Sequence, residues 1–92
     1  MKYSIKVLHE DNIQTVEGRR AWALERLITA GSAGCTPLDH PAPRWAAYVH
    51  RLRQEGFSIE TITEAHGGAY AGHHARYVLR TPVSVIGMCE AA

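Results

Sequence analysis

The sequence predicts an α+β fold, in the order strand, helix, short turn, helix, hairpin. Three observations carry this. Residues 2–8 alternate, with Tyr3, Ile5 and Val7 on one side and Lys2, Ser4 and Lys6 on the other, which is the period of a half-buried strand. Two stretches, 17–30 and 43–55, place apolar residues at helical spacing, and each stops at a glycine, Gly31 and Gly56. Two strand-like runs, 57–64 and 75–81, flank a segment that contains Gly67, Gly68 and Gly72, as a hairpin with a glycine-rich loop does.

The 92 residues fit one domain. Its core is expected over about 17–81, with the strand at 2–8 and a C-terminal extension at 82–92 outside it. A chain this short buries only roughly 60–65% of its unfolded surface. Ten basic and nine acidic residues leave a net charge of +1, which excludes a uniformly basic nucleic-acid coat. Any nucleic-acid reading must rest on where the charge sits. Cys35 and Cys89 lie far apart and form no CxxC pair, so two reduced, buried thiols are expected. Lys2 and Lys6 interrupt the start before any apolar signal region forms, and no apolar run approaches the roughly 20 residues of a membrane span. The expected setting is the cytoplasm, away from membranes.

After the first strand, His9 to Asn12 reads as a turn and Ile13 to Val16 as a short return strand. The first helix places Ala21, Leu24, Leu27 and Ile28 on one face. Trp22 falls off that face, beside Arg26 and Thr29, and is expected to pack on another element such as the N-terminal strand. Pro37, Pro41 and Pro43 exclude a full helix between residues 35 and 43. One helical turn from Pro37 to His40 fits, with Thr36 as its cap. The second helix starts near Pro43 and buries Trp45, Val49 and Leu52, with Tyr48 at the edge of the stripe. Ala47, His50, Arg51 and Gln54 form its other face, flanked by Arg44 and Arg53.

The second hairpin strand is read over 75–81, with a continuation past Pro82 to Ile86 in view. Pairing Ile62 with Val78 sets Glu64 opposite Arg76, Glu60 opposite Arg80 and His66 opposite His74. Opposite charges then meet on one side of the hairpin, while Ile59, Thr61, Tyr77 and Leu79 cover the helices. A slip of one residue would set arginines against apolar side chains.

Catalysis finds little support. Cys35, Asp39 and His40 are near one another in sequence without a triad's arrangement. The glycines after His66 precede a strand and lack the GxxxxGK[ST] of a phosphate loop. No enzymatic activity and no cofactor are expected. His66, His73 and His74 bracket the loop, but a structural metal site wants four ligands, so they are read as loop histidines that bond backbone or phosphate and no metal is assigned.

The segment from Ala46 to Thr61, AAYVHRLRQEGFSIET, resembles the pattern A-x-R-I-x-x-L-R-x-x-G-x-x-I-x-T of small bacterial and phage winged helix-turn-helix domains. Val49, Leu52, Arg53, Gly56, Ile59 and Thr61 match. Tyr48 departs from the pattern's arginine, and the first helix of the helix-turn-helix pair is compressed into the proline-rich turn. The resemblance spans about residues 19–80 and implies a winged helix-turn-helix with two main helices, a short proline-rich helical turn, a C-terminal β-hairpin wing and an extra N-terminal strand.

It also implies double-stranded DNA as partner, with the second helix in the major groove. Ala47, His50, Arg51 and Gln54 would then face bases, while Arg44 and the wing residues His73, His74 and Arg76 would reach the backbone. A small transcriptional regulator or prophage accessory factor is the implied role. The N-terminal strand and the C-terminal run Val83, Val85, Ile86 are read as able to pair with each other or with a second copy, giving a homodimer. The alternative is a winged helix that binds protein without touching DNA, which an exposed Trp22 and the near-zero net charge would favour.

Overall fold

The structure is a computed structural model that describes residues 2–9, 11–37, 44–67 and 72–91, with the backbone alone at 2, 3, 66 and 88–91. Its elements are β1 (Lys2–His9), β2 (Asn12–Glu17), α1 (Arg19–Ala30), a 3-10 turn (Gly31–Ala33), α2 (Trp45–Gln54), β3 (Ile59–His66), β4 (Gly72–Leu79) and β5 (Val83–Ala91). Beyond Pro37, the helical turn expected over 37–40 lies outside the described residues, together with Asp39 and His40.

Two sheets form. One is three-stranded and antiparallel in the order β2-β1-β5, and the other is the β3-β4 hairpin. The alternation of β1 works as read: Ile5 and Val7 are fully buried, and Lys6 and Leu8 are exposed. Expecting this strand outside the core is corrected, because Ile5, Val7 and the β2 residue Val16 belong to the main apolar cluster. The reason is α1, which packs against β1, β2, α2 and β4 at once. A helix shared by so many neighbours buries more than one stripe, and Ala21, Ala23, Leu24 and Leu27 are all buried.

β1 lies between β2 and β5. Its two edges are filled within the chain: of the two expected pairings, with the C-terminal run or with a second copy, β1 makes the first, leaving neither of its edges for a second copy. The C-terminal run does not continue β4. The chain breaks at Arg80–Pro82 and crosses to β1, where His9↔Val83 and Val7↔Val85 pair. Pro82 has no N–H for a ladder, and Thr81 Oγ1 accepts the Ser58 amide at 2.6 Å, fixing the turn.

The hairpin register differs from the expected one by two residues. Ile62 pairs with Arg76, Glu64 with His74 and His66 with Gly72, so His66 does not face His74. A two-residue shift leaves every side chain on its expected face, and the charge pairs form along the diagonals. Arg76 Nε donates to Glu64 Oε2 at 2.7 Å, and Arg80 Nε donates to Glu60 Oε1 at 2.7 Å. Ile59 and Tyr77 are buried and Leu79 is half-buried, whereas Thr61 is exposed and does not cover the helices. A third segment joins this sheet at one point: Cys35 and Tyr77 exchange backbone hydrogen bonds of 2.8 Å. Cys35 is buried and free of disulfide; the Cys89 thiol is outside the described residues.

Candidate nucleic-acid interface

Both ends of α2 are fixed by residues far away in sequence. At its start, Trp45 is 2% exposed and lies between Trp22 and Tyr77, with ring centroids 5.5 and 6.0 Å away. Trp22 thus packs on another element, as expected, and its ring meets Trp45 of α2. At its end the chain forms a Schellman cap. The Phe57 amide donates to the Leu52 carbonyl and the Gly56 amide to the Arg53 carbonyl, both at 3.1 Å. Gly56 takes φ 100°, and the buried pair Leu52–Phe57 supplies the apolar contact of that motif. His9 stacks on Phe57 with centroids 4.9 Å apart, linking β1 to this cap.

Arg53, a matched position of the pattern, holds the hairpin. Its guanidinium donates from Nη2 to the Ile59 carbonyl at 2.6 Å and to Thr61 Oγ1 at 2.8 Å. Glu55 turns back toward α1, where Arg20 Nε donates to its Oε1 at 2.8 Å. Gln14 Nε2 of β2 donates to the Glu55 carbonyl at 3.2 Å. The acid at the end of α2 is therefore neutralised on the inner side, away from the outer face of the helix.

That outer face carries Arg44, His50, Arg51 and Gln54 exposed and Ala47 half-buried. No side-chain hydrogen bond or ion pair ties these four polar residues to another described residue. Ala47 and Tyr48 form the floor of an open cleft of about 310 Å³, walled by Arg19, Arg20, Arg44 and Arg51. The neighbouring α1 contributes two of those four arginines. Reading α2 by itself missed them. Their signal was the adjacent pair Arg19-Arg20 at the helix start.

On the hairpin, His73 is exposed. His74 and Arg76 are engaged by Glu64: His74 Nε2 lies 3.1 Å from Glu64 Oε1, and Arg76 Nη1 also donates to the Ala33 carbonyl at 2.7 Å. The hydrogen bond from Arg76 holds the Glu64 carboxyl below the usual carboxylate range, against an opposing effect of desolvation. The structure thus separates the expected contacts into an open set on α2 and a hairpin set with internal partners, His73 excepted. The His66 side chain lies outside the described residues, and no cluster of three metal-ligating side chains occurs among the described ones. No helix among the described residues is long and apolar enough to cross a membrane.

Two helices, the second closing on a glycine, followed by a two-stranded hairpin and with α1 packed across α2 and both sheets, define a helix–helix–hairpin architecture. The family model described as "Winged helix domain" matches residues 13–88. The match covers most of the 92 residues, and the chain belongs to the winged helix domain family. No curated protein and no solved structure matches the chain.

Proposed function

We propose that the protein is a sequence-specific double-stranded DNA-binding protein, a small transcriptional regulator or mobile-element accessory factor, which places α2 in the major groove and the β3-β4 hairpin against the backbone. The carrying observation is the outer face of α2, where Arg44, His50, Arg51 and Gln54 stand exposed with no acidic partner among the described residues while Glu55 is turned inward to Arg20. In this role Ala47 lets the helix approach closely. Arg51 reads guanine, Gln54 reads adenine, and His50 lies between them. Arg44 meets phosphate at the helix start. His73 is the freest hairpin group, while His74 and Arg76 reach phosphate only from their posts beside Glu64.

Binding to short duplexes, followed by fluorescence anisotropy at low salt, tests this. Arg51→Ala is expected to weaken a preferred sequence about 5–150-fold, the worth of one good base contact at ~1–3 kcal/mol, and to flatten the preference. Arg44→Ala should weaken all duplexes by a similar factor. If both variants bind every duplex as tightly as the wild type, α2 is not the reading helix.

The second reading, a protein-binding module without DNA contact, has one observation in its favour. The exposed large apolar side chains among the described residues, Leu8, Ile13, Val85 and Ile86, all lie on the three-stranded sheet. Trp22 does not add to it, since that ring is packed on Trp45. Absence of duplex binding by the wild type at low salt would favour this reading.

A further inference from the structure

We propose that the cleft between the start of α1 and the outer face of α2 is a phosphate site, which clasps one backbone phosphate of the bound duplex between Arg19 of α1 and Arg44 and Arg51 of α2. The inference rests on the DNA reading above and extends it to an element outside the second helix and the hairpin.

Six residues line the cleft: Arg19, Arg20, Arg44, Ala47, Tyr48 and Arg51. Four are arginines and none is acidic. Such a concentration of like charge opposes folding unless an anion sits among the guanidiniums or solvent screens them. Among the described residues the charge is partly relieved at one corner. Arg20 is drawn to Glu55 by its Nε at 2.8 Å and to the Glu17 carbonyl by its Nη1 at 2.9 Å. Arg19, Arg44 and Arg51 have no ion pair with any described residue, and all three are exposed.

Ala47 brings only a small side chain to the lining, and Tyr48 also lines the cleft, a residue type whose hydroxyl can donate. Planar guanidinium forks match phosphate oxygens two at a time, and they favour a phosphate over a single carboxylate because more acceptor atoms are presented. The Arg20–Glu55 pair has a positioning part here. It fixes the wall contributed by α1 against the end of α2, so the cleft keeps its width while the other three guanidiniums remain available.

A phosphate at this position would lie beside α2 on the side of α1. Arg51 would then divide its donors between a base edge and the backbone, and the clasp would set how deeply the helix enters the groove. Arg19 makes no contact in any reading based on α2 alone, so it reports on the clasp without disturbing the base-reading residues.

The test is the salt dependence of duplex binding by the wild type, Arg19→Ala, Arg19→Lys and, as a control, Arg26→Ala. Arg26 is paired with Glu25 toward the other end of α1. Each phosphate neutralised contributes about 0.9 to the slope of log K against log salt. Arg19→Ala is expected to lower the slope by about one phosphate and to weaken all duplex sequences alike, Arg19→Lys to restore the slope, and Arg26→Ala to leave it unchanged. In a parallel titration with inorganic phosphate, amide shifts at Arg19, Ala47 and Tyr48 should move together, and those of the hairpin should not. A wild-type slope in Arg19→Ala, with binding to the preferred sequence still weakened in Arg51→Ala, overturns the clasp and leaves the DNA reading intact. Phosphate shifts at the cleft without any duplex binding by the wild type overturn both.

Discussion

Trp45→Ala is expected to cost the fold about 3–5 kcal/mol, the usual range for removing a buried large aromatic. A domain of this size has only roughly 5–14 kcal/mol to lose. The indole is 2% exposed, and its ring meets Trp22 tilted by 48° and Tyr77 nearly parallel at 21°. Each aromatic contact of this kind adds about 0.5–1.5 kcal/mol beyond the area it buries. Alanine forfeits both, and leaves a cavity where α1, α2 and β4 meet. At about 4–8 °C per kcal/mol for a domain of this length, thermal unfolding followed by circular dichroism should show a midpoint lower by more than about 10 °C. Trp45→Phe keeps an aromatic in the same slot and should lose less than half as much. The damage falls on the first turn of α2, so any duplex binding should weaken along with the fold. A midpoint shift of only a degree or two would mean that Trp45 is not a core residue.

Gly34→Ala is expected to be the next most damaging change. Gly34 has φ 71° and ψ −176°, a conformation open to glycine and strained for other residues. It also runs against β4, where a Cβ would come to 2.6 Å from the Tyr77 carbonyl oxygen and 2.8 Å from Val78 Cγ2. The Tyr77 carbonyl is backbone and accepts the Cys35 amide at 2.8 Å, and Val78 is buried, so neither neighbour gives way freely. Backbone strain of about 1–3 kcal/mol adds to the displacement of that segment, for a total of at least about 3 kcal/mol. Gly31→Ala provides the comparison. Gly31 also has positive φ, 58°, but a Cβ there would meet no atom within 4 Å. It should suffer strain alone, and Gly34→Ala should melt clearly below it. Equal losses for the two would show that the close approach to β4 is absent.

The parts of the fold legible in the sequence are those specified by neighbours along the chain. The alternation of Ile5 and Val7, the stripe Trp45–Val49–Leu52 and the stop at Gly56 each follow from a local period or a local cap, and each is seen. The hairpin shows where that limit falls. Glu60, Glu64, Arg76 and Arg80 find opposite charges in either of two registers two residues apart, directly in one and diagonally in the other. Charge pattern and facing therefore could not choose between them. The crossing of β5 to β1 comes with Thr81 Oγ1 accepting the Ser58 amide and with a ladder between segments at opposite ends of the chain, contacts invisible to any local reading.

The candidate site divides in the same way. The exposed residues of α2 follow from helical periodicity. The Arg20–Glu55 pair, 35 residues apart, and the approach of Arg19 to Arg44 and Arg51 in one cleft arise only when α1 packs on α2. On the hairpin, the Glu64–Arg76 pairing was legible from the charges, whereas the expected register set His74 opposite His66 and so hid its contact with Glu64.

The affinity of the wild-type protein for duplex DNA across a salt series from about 50 to 200 mM tests directly whether the open arginines of α1 and α2 meet DNA. The one phosphate clasped by Arg19, Arg44 and Arg51 and a further contact from the hairpin predict a linear fall of log K with log salt, with a slope of about −1 to −2. A flat dependence, or no duplex binding at the low-salt end, would contradict the account.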